Sequence, residues 1–369
     1  MGRDTLYLTW RPKQLDELVG QPNLVQTLRQ ASITDRFSHA YLFSGNKGCG
    51  KTTSARIVAN LMNCDNPKEG RVCGKCRACQ TIPFGTAMDV VELDGAKQRK
   101  VEDINRLIES ASWSPQELKK KVFIIDECHQ LSSTAISSLL KIVEEPPPYL
   151  TFIFCTTELQ KIPDTILSRS QRHVFHKISS KAIAGRLAHI AKEESIGIDE
   201  GSLYAVAQLG RGSMRDAIGY LEQISTAAGD TDITEESVYK YFGVADRKGI
   251  YDIIQSITSG NYKVLLDQVN DMIVASVDIR SILYEISEVF RNILVIKAQG
   301  GETRLVDLPD HEVKTLVRFG QMPNMGLGQL DKLSKDFSTI EKELEYSINK
   351  RWILESTLIR CTARLNLKK

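Results

Sequence analysis

LFSGNKGCGKTTSARIVA, residues 42–59, decides how the rest of the chain is read. A short apolar run (Tyr41, Leu42, Phe43) leads through Gly45, Asn46, Lys47, Gly48, Cys49, Gly50, Lys51, Thr52 and Thr53 into the helical spacing of Ala55, Val58 and Leu61. Gly, four residues, then Gly-Lys-Thr between a strand and a helix is a P-loop. Its glycines allow a tight turn that exposes backbone N–H groups. The following helix adds the positive end of its dipole, so polyanionic phosphate is held with few side chains. Lys51 is expected to reach the β- and γ-phosphates, and the Thr52 hydroxyl to bind Mg2+. A bare glycine turn before a helix is common, whereas the complete motif is specific.

Outward from this stretch, KVFIIDE (121–127) is a continuous apolar run closed by two acids. Such a run is expected of a buried parallel strand, and it delivers Asp126 and Glu127 to the same edge as the P-loop. Asp126 is expected to help bind Mg2+, directly or through water, and Glu127 to polarise the water that attacks the γ-phosphate. LTFIFCTT (150–157) is a second buried strand ending in Thr156 and Thr157, whose hydroxyls are able to sense the γ-phosphate there. MDVVELD (88–94) is a third strand, and an edge strand is expected near 173–175, after Arg169 in a short Ser-Arg-Ser turn. LSSTAISSLLKIVEEPPP gives a helix stopped by prolines. Strands and helices alternate, which predicts a doubly wound parallel sheet. Before the P-loop, the segment around Arg11, Pro12 and Val19 is where an adenine-binding entry would sit, followed by a helix from near Pro22.

Just after the P-loop helix stand Cys64, Cys73, Cys76 and Cys79. Four thiolates with Cys-x-x-Cys spacing suit a tetrahedral structural zinc, and they leave no open position for catalytic water. Between the strands, Lys97, Arg99 and Lys100 form a basic cluster at the carboxyl end of a strand, on the functional edge of such a sheet. That cluster is expected to touch nucleic-acid phosphates.

Composition narrows the class. With 25% charged residues and a net charge of +2, the chain is no global polycation, so nucleic-acid contact has to come from local clusters. Nothing at the N-terminus reads as a signal peptide and no apolar run is long enough for a bilayer, so a soluble cytoplasmic protein with reduced cysteines and no membrane partner is expected. From about 179 onward the pattern is helical only. Short helices are predicted over 180–194, 200–209 and 213–227, the last with Arg215 in its first turn. A cation there opposes the helix dipole and calls for an anionic partner. Farther on, Ile282, Ile286, Phe290 and Ile293, then Leu330, Leu333, Phe337, Ile340 and Leu344, recur at three-four spacing, as in a packed bundle.

Taken together, WRPKQLDELVGQ, HAYLFSGNKGCGKT, the four-Cys insert, KVEDI, FIIDECHQLS, EEPP, ILSRS and GSMRDA, in this order over residues 5–220, resemble the γ/τ ATPase family of bacterial replicative clamp loaders, within the AAA+ class. The resemblance implies an α/β plus all-α architecture. An AAA+ P-loop parallel-sheet domain would span 1–178 with a zinc module at about 62–82, followed by a helical lid over 179–243 and a helical collar for oligomerisation over 244–369. It also implies roles: Arg169 as an arginine finger reaching the ATP of a neighbouring subunit, Arg215 as sensor 2, Thr157 or Thr156 as sensor 1, and Lys100 tracking template phosphates. The implied ligands are ATP, Mg2+ and structural Zn2+. The implied partners are loader subunits of δ and δ′ type, further copies of the chain, a sliding clamp and primer-template DNA. The implied activity is ATP hydrolysis, with Glu127 acting in cis and Arg169 in trans, which opens the clamp and loads it for a nucleoid-associated polymerase holoenzyme. The alternative is another AAA+ DNA motor, such as a branch-migration helicase, which leaves the four-Cys insert unexplained.

Overall fold

The computed structural model describes residues 5–97, 101–229, 231–300 and 305–366. Its first compact unit, Met1–Glu194 with Ala207–Gln223, is built on a five-stranded sheet. The strands are β1 (Ala40–Gly45), β2 (Val90–Asp94), β3 (Lys121–Asp126), β4 (Leu150–Thr156) and β5 (Gln171–Phe175). All pair in parallel, in the order β2-β3-β4-β1-β5. The interior of the sheet is taken by the runs with almost no exposed position, while β2 and β5, at the edges, are largely exposed or half-buried and bury only Leu93 and Phe175 fully. This is the division expected of parallel strands covered on both faces.

Among the described residues, eight α-helices accompany the sheet: α1 (Leu6–Thr9), α2 (Pro22–Thr34), α3 (Lys51–Asn63), α4 (Arg77–Thr81), α5 (Val101–Ala111), α6 (Ser133–Glu144), α7 (Asp164–Arg169) and α8 (Ser180–Glu193). Successive strand residues face opposite sides, and the core divides accordingly. Tyr41, Phe43, Val122 and Ile124 pack with Ala55, Val58 and Leu61 of α3. Leu42, Phe123, Ile125 and Phe154 pack with Ile104 and Leu107 of α5 and Leu139 and Val143 of α6. Helices thus cover both faces, as the alternation of strands and helices predicts. The Ser132 hydroxyl accepts the Ala135 N–H to start α6, which stops at Glu144, just before the three prolines.

Because β1 lies between β4 and β5 while β2 is at the far edge, the chain reverses its winding direction next to the P-loop. In open α/β sheets the crevice at such a switch point, outside the carboxyl ends, takes ligands. The register lines those ends up: Ser44 lies opposite Thr156, Gly45 opposite Phe175, and Asp94 opposite Asp126.

Two further helices, α9 (Glu200–Leu209) and α10 (Met214–Ala228), are shared between the first unit and the second, which comprises Ser195–Val206 and Ile224–Lys369. The second unit continues with α11 (Glu235–Phe242), α12 (Arg247–Ser259), α13 (Tyr262–Val274), α14 (Ile279–Ala298), α15 (Asp310–Gly320), α16 (Leu327–Tyr346) and α17 (Lys350–Asn366). The apolar stripes of α14 and α16 meet in its core, with the Phe290 and Phe337 rings stacked at 5.7 Å. The three-four spacing therefore belongs to a globular bundle. Among the described residues, no helix is long and apolar enough to cross a membrane.

Candidate functional site

The P-loop joins β1 to α3. Gly45 has φ +143°, and a Cβ there would stand 2.3 Å from the Phe175 carbonyl oxygen. Gly48 has φ +75°, and a Cβ there would stand 1.8 Å from Ser213 Oγ. No L side chain fits either place. The Gly48 carbonyl also accepts the Met214 N–H at 3.1 Å, so the loop is fastened to the start of α10, one residue before Arg215. Lys51 is 6% exposed, and its Nζ donates to the carbonyls of Gly45 (2.8 Å) and Asn46 (2.9 Å). This keeps the ammonium inside the loop.

At the neighbouring strand ends, Thr52 Oγ1 donates to Asp126 Oδ2 at 2.6 Å. Burial pushes the Asp126 carboxyl up from the usual range, against the Thr52 hydroxyl and the Glu127 N–H, which hold it down. Glu127 has φ +47°, unusual for a residue other than glycine. Its Oε2 accepts the Thr157 hydroxyl at 3.1 Å. Thr156 is fully buried and turns the other way: it accepts the Glu158 N–H at 3.0 Å and meets His129 Nδ1 at 3.0 Å. Of the two threonines, Thr157 is therefore the one in contact with Glu127.

Lys51, Thr52, Asp126 and Glu127 border a cavity of about 320 Å³, whereas Thr156 and Thr157 are not part of its wall. The P-loop from Lys47 through Cys49, Gly50 and Thr53 forms its floor, and Arg11, Pro12, Val19, Asp126, Glu127 and Arg215 stand in its walls. Arg11 Nε donates to Thr53 Oγ1 at 3.2 Å, and burial lowers the Arg11 pKa. The Arg215 guanidinium lies 4.8 Å over the Tyr7 ring, a cation–π contact. Further wall residues, which no motif in the sequence marks, include Tyr7, Trp10, Glu92 and Arg186, with the Arg186 guanidinium 5.5 Å over the Trp10 ring. A cation on an amphipathic helix and an aromatic in a four-residue helix carry no local signal. The helical start at Gly212 and Ser213, packed against Gly48, would have been the best clue.

Arg169 is not in a Ser-Arg-Ser turn, as the sequence suggests. It is the last residue of α7, because Pro163 opens a helix that runs through the serine. Arg169 Nη2 lies 2.9 Å from Glu144 Oε1, and the residue is not part of the wall of its own chain's cavity. Lys97 is in an exposed turn after β2, 3.9 Å from Asp94. Arg99 and Lys100 lie outside the described residues.

The four cysteines converge. Their Sγ atoms lie within 4.8 Å of one another, with Cys76–Cys79 at 3.4 Å, Cys64–Cys79 at 3.8 Å and Cys73–Cys79 at 3.9 Å. Thiolates at about 2.3 Å from a tetrahedral zinc stand about 3.8 Å apart, so the cluster fits that ion. Cys64 ends α3, Cys76 precedes α4, and Cys79 lies within it. The backbone N–H groups of Lys75 and Cys76 bring the Cys73 thiol down to about 6, and the Cys73 N–H itself donates to Cys64 Sγ at 3.2 Å. The excursion is tied back to the N-terminal segment, which no periodicity announced. The Gln14 amide exchanges hydrogen bonds with both backbone groups of Val72 (3.3 and 3.1 Å), and Asp16 pairs with Arg29 and Arg71.

Against known families, residues 20–179 match the profile described as DNA polymerase III, delta subunit. Residues 182–229 match the ATPase lid domain of the DNA polymerase III clamp loader subunit, and residues 233–369 match domain III of the DNA polymerase III subunits gamma and tau. The chain is 36% identical over 301 residues to DNA polymerase III subunit tau of Bacillus subtilis, covering 82% of this chain and 53% of the relative. It is 40% identical over 265 residues to the gamma/tau subunit of Mycoplasma genitalium (72% and 44%). The chain belongs to the gamma/tau family of DNA polymerase III subunits. Like Salmonella typhimurium tau, to which it is 29% identical over 367 residues (98% and 56%), those gamma/tau relatives are longer, and the chain spans about half their length. Among solved structures, a mutant of Thermotoga maritima RuvB matches with TM-score 0.50 at 20% identity, over 85% of this chain and 94% of that one, a likeness of fold alone. The gamma/tau chain thus combines an AAA+-type parallel sheet, a lid segment and a four-cysteine cluster.

Proposed function

We propose that this gamma/tau chain is an ATP-hydrolysing subunit of a clamp loader, which opens a ring-shaped sliding clamp and loads it onto primed DNA. The observation that carries the reading is the joint placement of Lys51, Thr52, Asp126 and Glu127 at one sheet edge, with Arg215 on the same cavity. ATP would lie with its phosphates in the loop, where Lys51 exchanges its carbonyl contacts for phosphate oxygens, and with its base toward Arg11, Pro12 and Val19. Thr52 and Asp126, a hydroxyl and a carboxylate already 2.6 Å apart, fit Mg2+, which would neutralise phosphate charge. Glu127 would take a proton from the attacking water, and Thr157 would steer its carboxylate. Arg215, on the cavity wall, would meet the phosphates and gain the anion its helix position calls for. Catalysis here is positioning and charge stabilisation, with no covalent enzyme intermediate.

Because Arg169 stands away from its own cavity, it would serve a neighbouring copy or a δ-type subunit, exchanging Glu144 for γ-phosphate. The four-cysteine cluster would hold a structural zinc, and Lys97 with Arg99 and Lys100 would touch DNA phosphates. The division into an ATPase domain over 1–178, a lid over 179–243 and a collar over 244–369 is supported by the lid and domain III profiles at 182–229 and 233–369.

The direct test is Glu127→Gln. The variant should bind ATP as the parent does and lose at least about 100-fold in turnover, the lower range for removing a general base. Loss of ATP binding would make Glu127 a structural residue and remove the reading.

A further inference from the structure

His129 lies next to Glu127 with only 5% of its side chain exposed, and the hydrolysis outlined above does not use it. Its two ring nitrogens face two different carboxylates. Nε2 lies 3.2 Å from Glu158 Oε1. An ionised carboxylate only accepts hydrogen bonds, so this contact puts the ring proton on Nε2. Glu158 is kept ionised by Lys161, whose Nζ lies 2.8 Å from its Oε2 and which draws its pKa down. In the neutral ring Nδ1 is then a lone pair, which accepts the Thr156 hydroxyl at 3.0 Å. That hydroxyl is oriented in turn by the Glu158 N–H, donated to Thr156 Oγ1 at 3.0 Å.

The same Nδ1 stands 3.5 Å from Glu127 Oε2, the oxygen that takes the Thr157 hydroxyl. Oε2 therefore has a donor on one side and a nitrogen lone pair on the other. A carboxylate placed so is drawn toward Thr157 and cannot swing into the space of the imidazole. The left-handed backbone at Glu127 gives the side chain its starting direction, and the buried ring stands beside it.

We propose that His129 is a positioning residue for Glu127: anchored by Glu158 through Nε2 and by Thr156 through Nδ1, it fixes the carboxylate so that Oε1 is presented to the attacking water. The bland alternative is a buried histidine that only fills space and satisfies its hydrogen bonds. The two differ in which ring atom matters. Positioning depends on the atom at Nδ1, next to Glu127, whereas filling depends on volume and on the Glu158 contact through Nε2.

The inference rests on the ATPase reading of Glu127, and the test separates the two. Steady-state kcat and KM for ATP would be measured in the complex assembled with δ- and δ′-type subunits, and ATP affinity and melting temperature on the chain itself, for the parent, Glu127→Gln, His129→Ala, His129→Asn and His129→Gln. Asparagine can return a polar atom near the Nδ1 position, and glutamine near that of Nε2. The expected result is a kcat about 10-fold or more below the parent for His129→Ala and His129→Gln, with KM within about twofold, and recovery to within about threefold in His129→Asn. Recovery by His129→Gln but not His129→Asn, or parental kcat in all three variants, would overturn the positioning role. If His129→Ala fails to fold, the comparison of the asparagine and glutamine variants still decides. If the parent turns over ATP, Glu127→Gln does not, and the histidine variants are normal, the inference alone falls. If Glu127→Gln hydrolyses ATP like the parent, the ATPase reading itself falls, and the inference with it.

Discussion

Arg169 contributes nothing to its own chain's cavity. It sits at the C-terminal end of α7, where a cation is favoured by the helix dipole, and it is held by Glu144. That ion pair is partly exposed and worth little, about 0–1 kcal/mol, so exchanging it for a phosphate in a neighbouring subunit is easy. Arg169→Ala should bind ATP normally in the assembled complex and hydrolyse it about 10³-fold or more slowly. Normal turnover in the complex would remove Arg169 as a finger. Gly48 makes a second residue-scale prediction. Its left-handed backbone and the contact with Ser213 leave no room for a methyl group. Gly48→Ala should therefore weaken ATP binding, since strain of about 1–3 kcal/mol corresponds to roughly a 5- to 150-fold loss. Isothermal titration with a slowly hydrolysed ATP analogue would check this, and parental affinity would contradict it. At this scale the sequence was legible where function is local: the P-loop and the Asp126–Glu127 pair are contiguous motifs. Tyr7, Glu92, His129 and Arg186 were not legible, because each becomes relevant only through a contact that the fold makes between distant segments.

Elements were more legible than individual contacts. Continuous apolar runs became the interior strands, and the edge strand expected near 173–175 became β5, two residues longer at its start. The three helices expected over 180–227 correspond to α8, α9 and α10, each end within a residue or so. Periodicity could not say which strands would be neighbours, because that follows from packing both faces of the sheet. Nor could it reveal the anchoring of the cysteine excursion, since Gln14, Asp16 and Arg71 read as ordinary surface polar residues. The excursion itself gives the prediction at this scale. With few apolar residues of its own, it depends on a metal whose apparent binding free energy in small zinc modules is about 10–16 kcal/mol. Metal analysis of the purified chain should find about one zinc per chain, and Cys76→Ser should lower both zinc content and melting temperature. A zinc content near zero in the parent, with an unchanged melt in the variant, would retire the site.

At the scale of the whole molecule, two units with different physics share one chain. The sheet unit gathers charge at the carboxyl ends of its strands, whereas the second unit is a helical bundle with a largely apolar core, beside which Arg247 lies 3.2 Å from Glu285 and Tyr251 donates to Glu312 at 2.6 Å. A net charge of +2 gives no long-range pull toward DNA, so DNA should act locally and only once the subunits are assembled. The measurement that tests the central claim most directly is the steady-state ATPase rate of the chain assembled with δ- and δ′-type subunits, with and without sliding clamp and primer-template DNA. The account predicts that clamp and DNA together stimulate turnover well beyond either alone. A rate indifferent to both would contradict it.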